Sequence, residues 1–558
     1  MMHPLTRRTG YGLLVVTALL LFPANPSGQP GRSAARPSPP RLAVMLVVDQ
    51  MRADYVDRFE ADWTGGLKRL VTRGAWFTRA AYPYLETYTC AGHATVSTGA
   101  FPHVHGIFQN TWFDRGKGGP VQCTDDDSEG VAYSGTAGND GPGLLLVPTF
   151  ADEMRRQRSA RVVSVSLKAR SAIMLAGHGG DAVTWINDSL DGWQTSRAYS
   201  LRPVPAVKTY LNANPIEADY GKVWRRILPA ARYPEADAGE GEAPIPGWTS
   251  TFPHRLSGGS SSPDPDFHNQ WQHSPFADAY LGRMAAALAE SFRLGKRGTT
   301  DVLAVSFSSP DLVGHQFGPD SQEMRDMLAH LDRTIGQLLD RLDALVGRNQ
   351  YVVALTADHG VTEIPEQLKQ RGQSAGRMTM GALSVVVQKA AETALGPGQY
   401  LARVVSNDVY FRPGVYDRLR QRPDALKTII EAIAAQPGVA QVLRSDELAE
   451  AARSDDPQIR ATTLSYVPGR SGDLMLVLKP GWMFSARGTT HGTLNPDDQR
   501  VPVLFMGPGI RPGAYTDAAT PADVAPTLAA IVGITLPRAE GRALAAAMGG
   551  LGAESAAR

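Results

Sequence analysis

The side chains whose types and spacing could do chemistry are Asp49, Thr89, Asp311, His315, Asp358, His359 and His491. Carboxylates and imidazoles without thiolates suit a catalytic zinc site, which holds its ligands at about 2.0–2.2 Å and keeps a position open for substrate. They are too many for one tetrahedral ion, so two ions are the economical reading. Singly each is weak, because an aspartate after a strand is usually a cap or turn residue and a lone histidine is more often structural. Placement gives them weight. Apolar runs at 42–48, 302–307 and 351–355 lead into Asp49, into Asp311 with His315, and into Asp358 with His359. Ligands of open parallel sheets bind at the carboxyl ends of strands. His491, in the turn Thr489-Thr490-His491-Gly492, can add an imidazole.

Thr89 lies in Glu86-Thr87-Tyr88-Thr89-Cys90-Ala91-Gly92-His93, where small residues can begin a helix. A helix start offers free amide N–H groups and the positive end of a dipole, both suited to an oxyanion. A plain N-cap is the bland alternative. A threonine hydroxyl is a poor nucleophile at neutral pH unless a metal helps to deprotonate it, and Asp49, Asp358 and His359 could hold that metal. Lys168 and Arg170 follow the apolar run 161–165; in an extended segment they face the same way and could grip a dianionic phosphoryl group, Arg170 as a bidentate fork. Outside such a setting a solvated basic pair is the ordinary reading.

Other residues are set aside. His93, His103 and His105 lie near Thr89 but have no evident charged partner, so structural hydrogen bonding is expected of them, and His178 either lines the site or ends a segment. Asp125, Asp126 and Asp127 could hold an additional structural divalent cation such as calcium. The EF-type spacing and closing glutamate are absent, so a solvated acidic loop is the better reading.

The elements that must position these residues alternate. The runs 42–48, 161–165, 302–307, 351–355 and 501–506 read as buried parallel strands. Between them, Met327, Leu328, Leu331, Ile335, Leu338, Leu342 and Leu345 recur at helical spacing over 323–346 before Gly347, and 521–532 reads as a late helix. The fold class expected is α/β, a mainly parallel central sheet with helices on both faces. Two stretches break the alternation: a Pro/Gly/Ser-rich region at about 200–290 reads as a loop-rich insertion, and 376–470, with a helix at 425–435, as a small α+β unit. The catalytic domain would span 41–548.

Composition sets the outer bounds. The chain of 558 residues carries a net charge of +1, which gives no global field for nucleic acid or an anionic membrane, so no specific nucleic-acid partner is expected. Arg7 and Arg8 before an apolar run at 11–22 have the layout of a signal peptide over about 1–28, followed by a Pro/Ser-rich linker at 29–40, and 549–558 reads as a tail. The apolar run is shorter than the ~20 residues a membrane span needs, so no stable membrane span is expected. Export to the periplasm or the exterior follows; Thr6-Arg7-Arg8 hints at the twin-arginine route, and the ordinary route is preferred. The two cysteines, Cys90 and Cys123, could form one bridge or remain thiols.

The ordered set Asp49-Gln50-Met51-Arg52, Thr89 with Gly92-His93, Ser97-Thr98-Gly99, Pro102, His105-Gly106-Ile107, Asn110, Asp311 with His315, Asp358-His359-Gly360 and His491-Gly492 resembles the phosphodiesterase and atypical phosphatase branch of the alkaline phosphatase superfamily. The resemblance covers about 41–540. It implies that Asp311, His315 and His491 bind one zinc and that Asp49, Asp358, His359 and the Thr89 oxygen bind the other. It also implies that Asn110 hydrogen-bonds a nonbridging phosphoryl oxygen. Lys168-Ala169-Arg170 is similar to the Lys-x-Arg element of the threonine-dependent alkaline phosphatases of the PafA and PhoK type. The implied activity is hydrolysis of small phosphate monoesters through a phosphothreonine. A phosphodiesterase or nucleotide pyrophosphatase with the same nucleophile and metals is the main alternative, and a non-catalytic, metal-dependent phosphate-binding protein is the remote one. A sulfatase is disfavoured because the Cys/Ser-x-Pro-x-Arg pattern is absent around Thr89.

Overall fold

A computed structural model describes residues 39–448 and 451–549; the expected signal peptide, most of the linker and nearly all of the tail lie outside them. The central sheet is built from β1 (Leu42–Val48), β2 (Ala75–Ala80), β3 (Gly130–Ala132), β4 (Val162–Ser166), β5 (Ala182–Ile186), β6 (Trp193–Ser196), β7 (Asp301–Phe307), β8 (Tyr351–Thr356), β9 (Val503–Met506) and β10 (Gly513–Ala519). Their order across the sheet is β10-β2-β9-β8-β1-β7-β4-β5-β6-β3.

The inner strands β8, β1, β7, β4 and β5 are all parallel. The run at 501–506 departs from expectation: β9 is antiparallel to both β8 and β2. An apolar run reports burial on both faces and carries no direction. Along β1 the side chains alternate between two cores. Leu42, Val44, Leu46 and Val48 face one, and Ala43, Met45 and Val47 the other. That period-2 division requires helices on both faces, each full burial of such a side chain stabilising by roughly 1.5–3 kcal/mol.

On the first face the expected long helix is Gln322–Leu345, with Ser321 as N-cap accepting from the Met324 N–H at 3.1 Å. The late element is a turn at Pro521–Asp523 followed by a helix at Val524–Val532 on the second face. The region 200–290 is loop-rich only in its first two thirds. Pro265–Gln272 and Pro275–Ser291 are helices, and Tyr280, Leu281, Met284 and Leu288 of the second belong to the sheet's core. Prolines at the first helical turn had given this stretch the look of a loop.

The small α+β unit has its own core, with Leu383, Val387, Val409, Ile429 and Leu476 among its members. Its four strands run in the order Leu401–Val405, Asp408–Phe411, Leu474–Leu478 and Val439–Arg444, so the unit closes beyond residue 470. Two contacts dock it beside the sheet's carboxyl edge: Asn407 Nδ2 donates to the Gly492 carbonyl at 2.7 Å, and Gln109 Nε2 to Asp408 Oδ2 at 2.7 Å. Among the described residues no helix is long and apolar enough to cross a membrane.

Candidate active site

β1, β7 and β8 end at one edge, and there the structure gathers Asp49, Asp311, His315, Asp358 and His359, all buried except His315, which is half-buried. His491 joins them from the turn after the small unit, its ring stacked on His359 at 3.5 Å between centroids. Thr89 is the first residue of the helix Thr89–Thr98; Tyr88 is the N-cap, so the Thr89 hydroxyl is not spent on capping. It lies 3.3 Å from His359 Nε2.

The three imidazoles share one arrangement. His315 Nδ1 is 2.8 Å from the Thr489 carbonyl, His359 Nδ1 3.0 Å from Gly360 O, and His491 Nδ1 2.7 Å from Thr87 O. A carbonyl can only accept, so each Nδ1 carries a proton, and each Nε2, which faces a carboxylate, is the atom available to ligate a cation. This is how ligating histidines are oriented. His315 Nε2 is 3.1 Å and His491 Nε2 3.8 Å from Asp311 Oδ1, while His359 Nε2 is 3.5 Å from Asp49 Oδ1 and 3.3 Å from Asp358 Oδ2.

Asp311, His315 and His491 form one group whose ligand atoms lie within 4.8 Å of one another, and Asp49, Asp311 and His359 form a second. Asp49 Oδ1 and Asp358 Oδ2 are buried without a hydrogen-bond partner. Two orphaned carboxylate oxygens beside His359 Nε2, with His315 and His491 converging on Asp311 next to them, are costly unless a cation joins them, so the donor set fits divalent metal.

The electrostatics follow. Burial raises the Asp49 carboxyl well above its ordinary range, with Asp311 and Asp358 adding repulsion. Burial acts on Asp311 in the same sense but is overcome by His315 and Lys168, which hold it well below. Burial likewise opposes the lowering of Asp358 by His359 and His93. Burial, reinforced by His359 and His315, keeps His491 well below the usual imidazole value.

Lys168 and Arg170 are arranged differently from the expected extended pair. Lys168 is the extended N-cap of the helix Ala169–Ala176, and Arg170 is already helical. Residues i and i+2 across a helix start do not share a face as they do in a strand. Lys168 Nζ donates to Asp49 Oδ2 at 2.6 Å and Asp311 Oδ2 at 2.5 Å, bridging both groups. The half-buried Arg170 has its Nε buried and unpaired. Asn110 accepts at Oδ1 from the Cys90 N–H at 2.8 Å. With Tyr88 it lines a cavity of about 610 Å³ whose far wall is Met380, Leu401 and Val405 of the small unit.

Sequence reasoning missed Gln50. Gln50, at φ 67°, turns so that its N–H donates to Asp358 Oδ1 at 3.1 Å and its Nε2 to Asp311 Oδ1 at 2.6 Å. A glutamine directly after a strand-end aspartate was the available signal. His93 makes the structural hydrogen bonds expected of it, Nδ1 2.8 Å from Thr89 O and Nε2 2.8 Å from Ser306 Oγ, and Nδ1 also comes within 3.2 Å of Asp358 Oδ2. Gly92 explains how the helix comes so close, since a Cβ there would lie 2.0 Å from the Asp358 carbonyl oxygen.

The residues set aside find other partners. His105 Nε2 is 3.1 Å from Thr95 Oγ1, His103 Nε2 3.1 Å from Glu540, and His178 Nδ1 2.8 Å from Asp152. Asp126 accepts from the Ser128 and Gly143 N–H groups, as a loop residue does. Cys90 and Cys123 form a disulfide.

Alkaline phosphatase PhoV of Synechococcus elongatus is 32% identical to this chain over 549 residues, 94% of this chain and 97% of that protein. Alkaline phosphatase PafA of Elizabethkingia meningoseptica is 31% identical over 548 residues, 94% and 96% of the two chains. A crystal structure of wild-type PafA matches with a TM-score of 0.83 at 29% identity, covering 92% of this chain and 99% of that one. Fold and relatives define a phosphoric monoester hydrolase of the alkaline phosphatase class. The model of the type I phosphodiesterase / nucleotide pyrophosphatase family matches residues 43–499, and the chain belongs to that family.

Proposed function

We propose that the chain is an exported alkaline phosphatase that hydrolyses small phosphate monoesters to alcohol and inorganic phosphate, with Thr89 as nucleophile and two zinc ions per chain. The observation that carries this reading is the set of imidazoles, His315, His359 and His491, each donating Nδ1–H to a backbone carbonyl and turning Nε2 toward a buried carboxylate: Asp311 for His315 and His491, the unpartnered oxygens of Asp49 and Asp358 for His359. Asp311, His315 and His491 would hold one ion; Asp49, Asp358, His359 and the Thr89 oxygen the other. Bound zinc supplies positive charge that favours an ionised hydroxyl and offsets charge on a departing oxygen.

The chain's own residues do the rest. The Thr89 oxygen attacks phosphorus in line; its bond to phosphorus forms as the ester P–O bond breaks, giving phosphothreonine and an alcohol. Water then cleaves the phosphothreonine, restoring the hydroxyl and releasing phosphate. Asn110, Lys168 and Arg170 stabilise the transferring oxygens. A monoester dianion carries a charged oxygen where a diester carries a neutral ester group, and two cations reward that difference. The leader at 1–28 and the Cys90–Cys123 disulfide, which persists in oxidising compartments, support export.

The family match keeps phosphodiesterase or nucleotide pyrophosphatase activity as the second reading. Turnover of an aryl phosphate monoester and its diaryl diester on purified, zinc-loaded protein separates the two, and higher kcat/KM on the diester overturns the monoesterase reading. Lys168→Ala with Arg170→Ala should lower monoester kcat/KM on the order of 10²-fold while hurting the diester much less; equal losses would remove the dianion argument. Metal-replete protein that frees no phosphate from any ester would point to a binding protein.

A further inference from the structure

Asn110 stands immediately before a hairpin, Thr111–Asp114 paired with Gly119–Gln122, whose closing pair is Thr111 with Gln122. Cys123 follows that pair, and its N–H donates to the Asn110 backbone carbonyl at 2.9 Å. Cys90 follows Thr89, and its N–H donates to the Asn110 side-chain oxygen at 2.8 Å. The two sulfurs are bonded to each other. Both carbonyls of Asn110 are therefore gripped by the two halves of one disulfide. Its amide Nδ2, the only donor of the side chain, must point away from Cys90. Both cysteines are buried among Ile107, Phe108, Trp112 and Val121, which hold the assembly rigid.

We infer that the Cys90–Cys123 disulfide is a positioning device for catalysis: it fixes Asn110 relative to Thr89 so that Nδ2 meets the transferring phosphoryl oxygen. This rests on the role proposed above for Asn110 and Thr89. The cysteines touch no substrate and act through Asn110. A donor aimed in advance at developing charge does its work without reorganisation, and small misplacements are expensive in rate. When the disulfide is reduced, two electrons and two protons from a dithiol convert the S–S bond to two thiols. The hairpin then loses its covalent tie to the start of the nucleophile helix; the Cys90 N–H bond to the Asn110 side chain and the apolar packing around both remain. A chain folded in a reducing compartment should accordingly be a poor phosphatase even when loaded with metal.

The test is a double-mutant cycle in kcat/KM for an aryl phosphate monoester, measured at 25 °C on zinc-loaded protein of verified metal content. Asn110→Ala alone should lower kcat/KM by roughly 10²-fold. Cys90→Ala with Cys123→Ala should lower it about tenfold or more, and this loss should vanish when Asn110 is already alanine. A disulfide that only stabilised the fold would lower Tm and leave kcat/KM untouched, or would add its full loss to that of Asn110→Ala; either result overturns the inference. If Asn110→Ala is itself neutral, the functional reading of Asn110 falls; if it is costly while the cysteine pair is neutral, only the positioning role falls. Should the cysteine variant not fold, wild-type chain refolded with dithiothreitol and showing two free thiols gives the same comparison: full kcat/KM overturns the inference, and loss that is regained on reoxidation, in wild type but not in Asn110→Ala, supports it.

Discussion

The molecule buries two sets of carboxylates and imidazoles, and they differ in how the surrounding chain satisfies them. At the carboxyl edge of the sheet, Asp49 and Asp358 keep unpartnered oxygens, His359 turns Nε2 toward them while His315 and His491 turn theirs toward Asp311, and Lys168 is the counter-cation. Under the 200–290 region, His254 Nε2 lies 2.9 Å from Glu323 Oε1, and Asp326 accepts from Trp224 Nε1 at 2.7 Å and the Ile227 N–H at 2.7 Å, with the Tyr233 hydroxyl as a further donor. Among the described residues the second set brings no three ligand atoms together. Burial raises Glu323 to about 8 and lowers His254 to about 4, so each is kept in its neutral form. The same residue types thus build a centre that calls for added cations in one place, and in the other a packing cluster in which Glu323 and His254 are neutral and Asp326 is held by its own donors. What separates them is convergence: both sets keep an unpartnered carboxylate oxygen, Glu323 Oε2 in the second, but only at the sheet edge do three ligand atoms come within reach of one another.

The sharpest way to break this comparison is at Thr89. Thr89→Ala should reduce kcat on the order of 10⁴-fold or more while zinc content, measured by plasma mass spectrometry, stays largely intact. Substantial residual turnover would move the nucleophile elsewhere. Next in size is His491→Ala, which should lower bound zinc toward one ion per chain and cost at least about the 10–100-fold in activity that even outer-shell changes at metal sites cause. His254→Gln should leave metal content unchanged, and a loss of zinc there would erase the distinction between the two sets.

The smallest effect is in stability against pH. Glu323 titrates at about 8 in the fold against its ordinary 4.5, so the native state holds a proton that the unfolded chain has released. The stability it contributes is fully present below about pH 4.5 and is lost as pH rises toward about 8. Glu323→Gln should flatten that decline, giving a smaller drop in Tm between pH 5 and pH 8 than wild type, with kcat/KM within about twofold at each pH. An unchanged Tm profile would mean that Glu323 is already ionised in the fold.

The strand-end residues were legible because an apolar run followed by Asp, or by Asp and His, fixes both an element and the edge at which it ends. Thr89 and His491 were legible as well, one from the small residues after it and one through the ordered motifs around it. The orientation of Lys168 and Arg170 was not, since Leu167-Lys168-Ala169-Arg170 has no pattern that says where strand stops and helix begins. Gln50 was hidden because its part depends on a positive φ that few non-glycine residues adopt. The antiparallel course of β9 was hidden because burial is blind to direction. The Cys90–Cys123 bridge depended on a Cα separation, 6.6 Å, that sequence does not contain.

Gly92 has a mechanical consequence. The gap between the helix that Thr89 begins and the loop bearing Asp358 is set by the absence of a single methyl group, because a Cβ at position 92 would strike the Asp358 carbonyl. Position 92 is a spacer of zero thickness, about one turn below the hydroxyl that lies 3.3 Å from the His359 nitrogen. Any side chain there would lengthen the reach of Thr89 without touching a ligand, turning an intact inventory of reactive groups into one that is out of register.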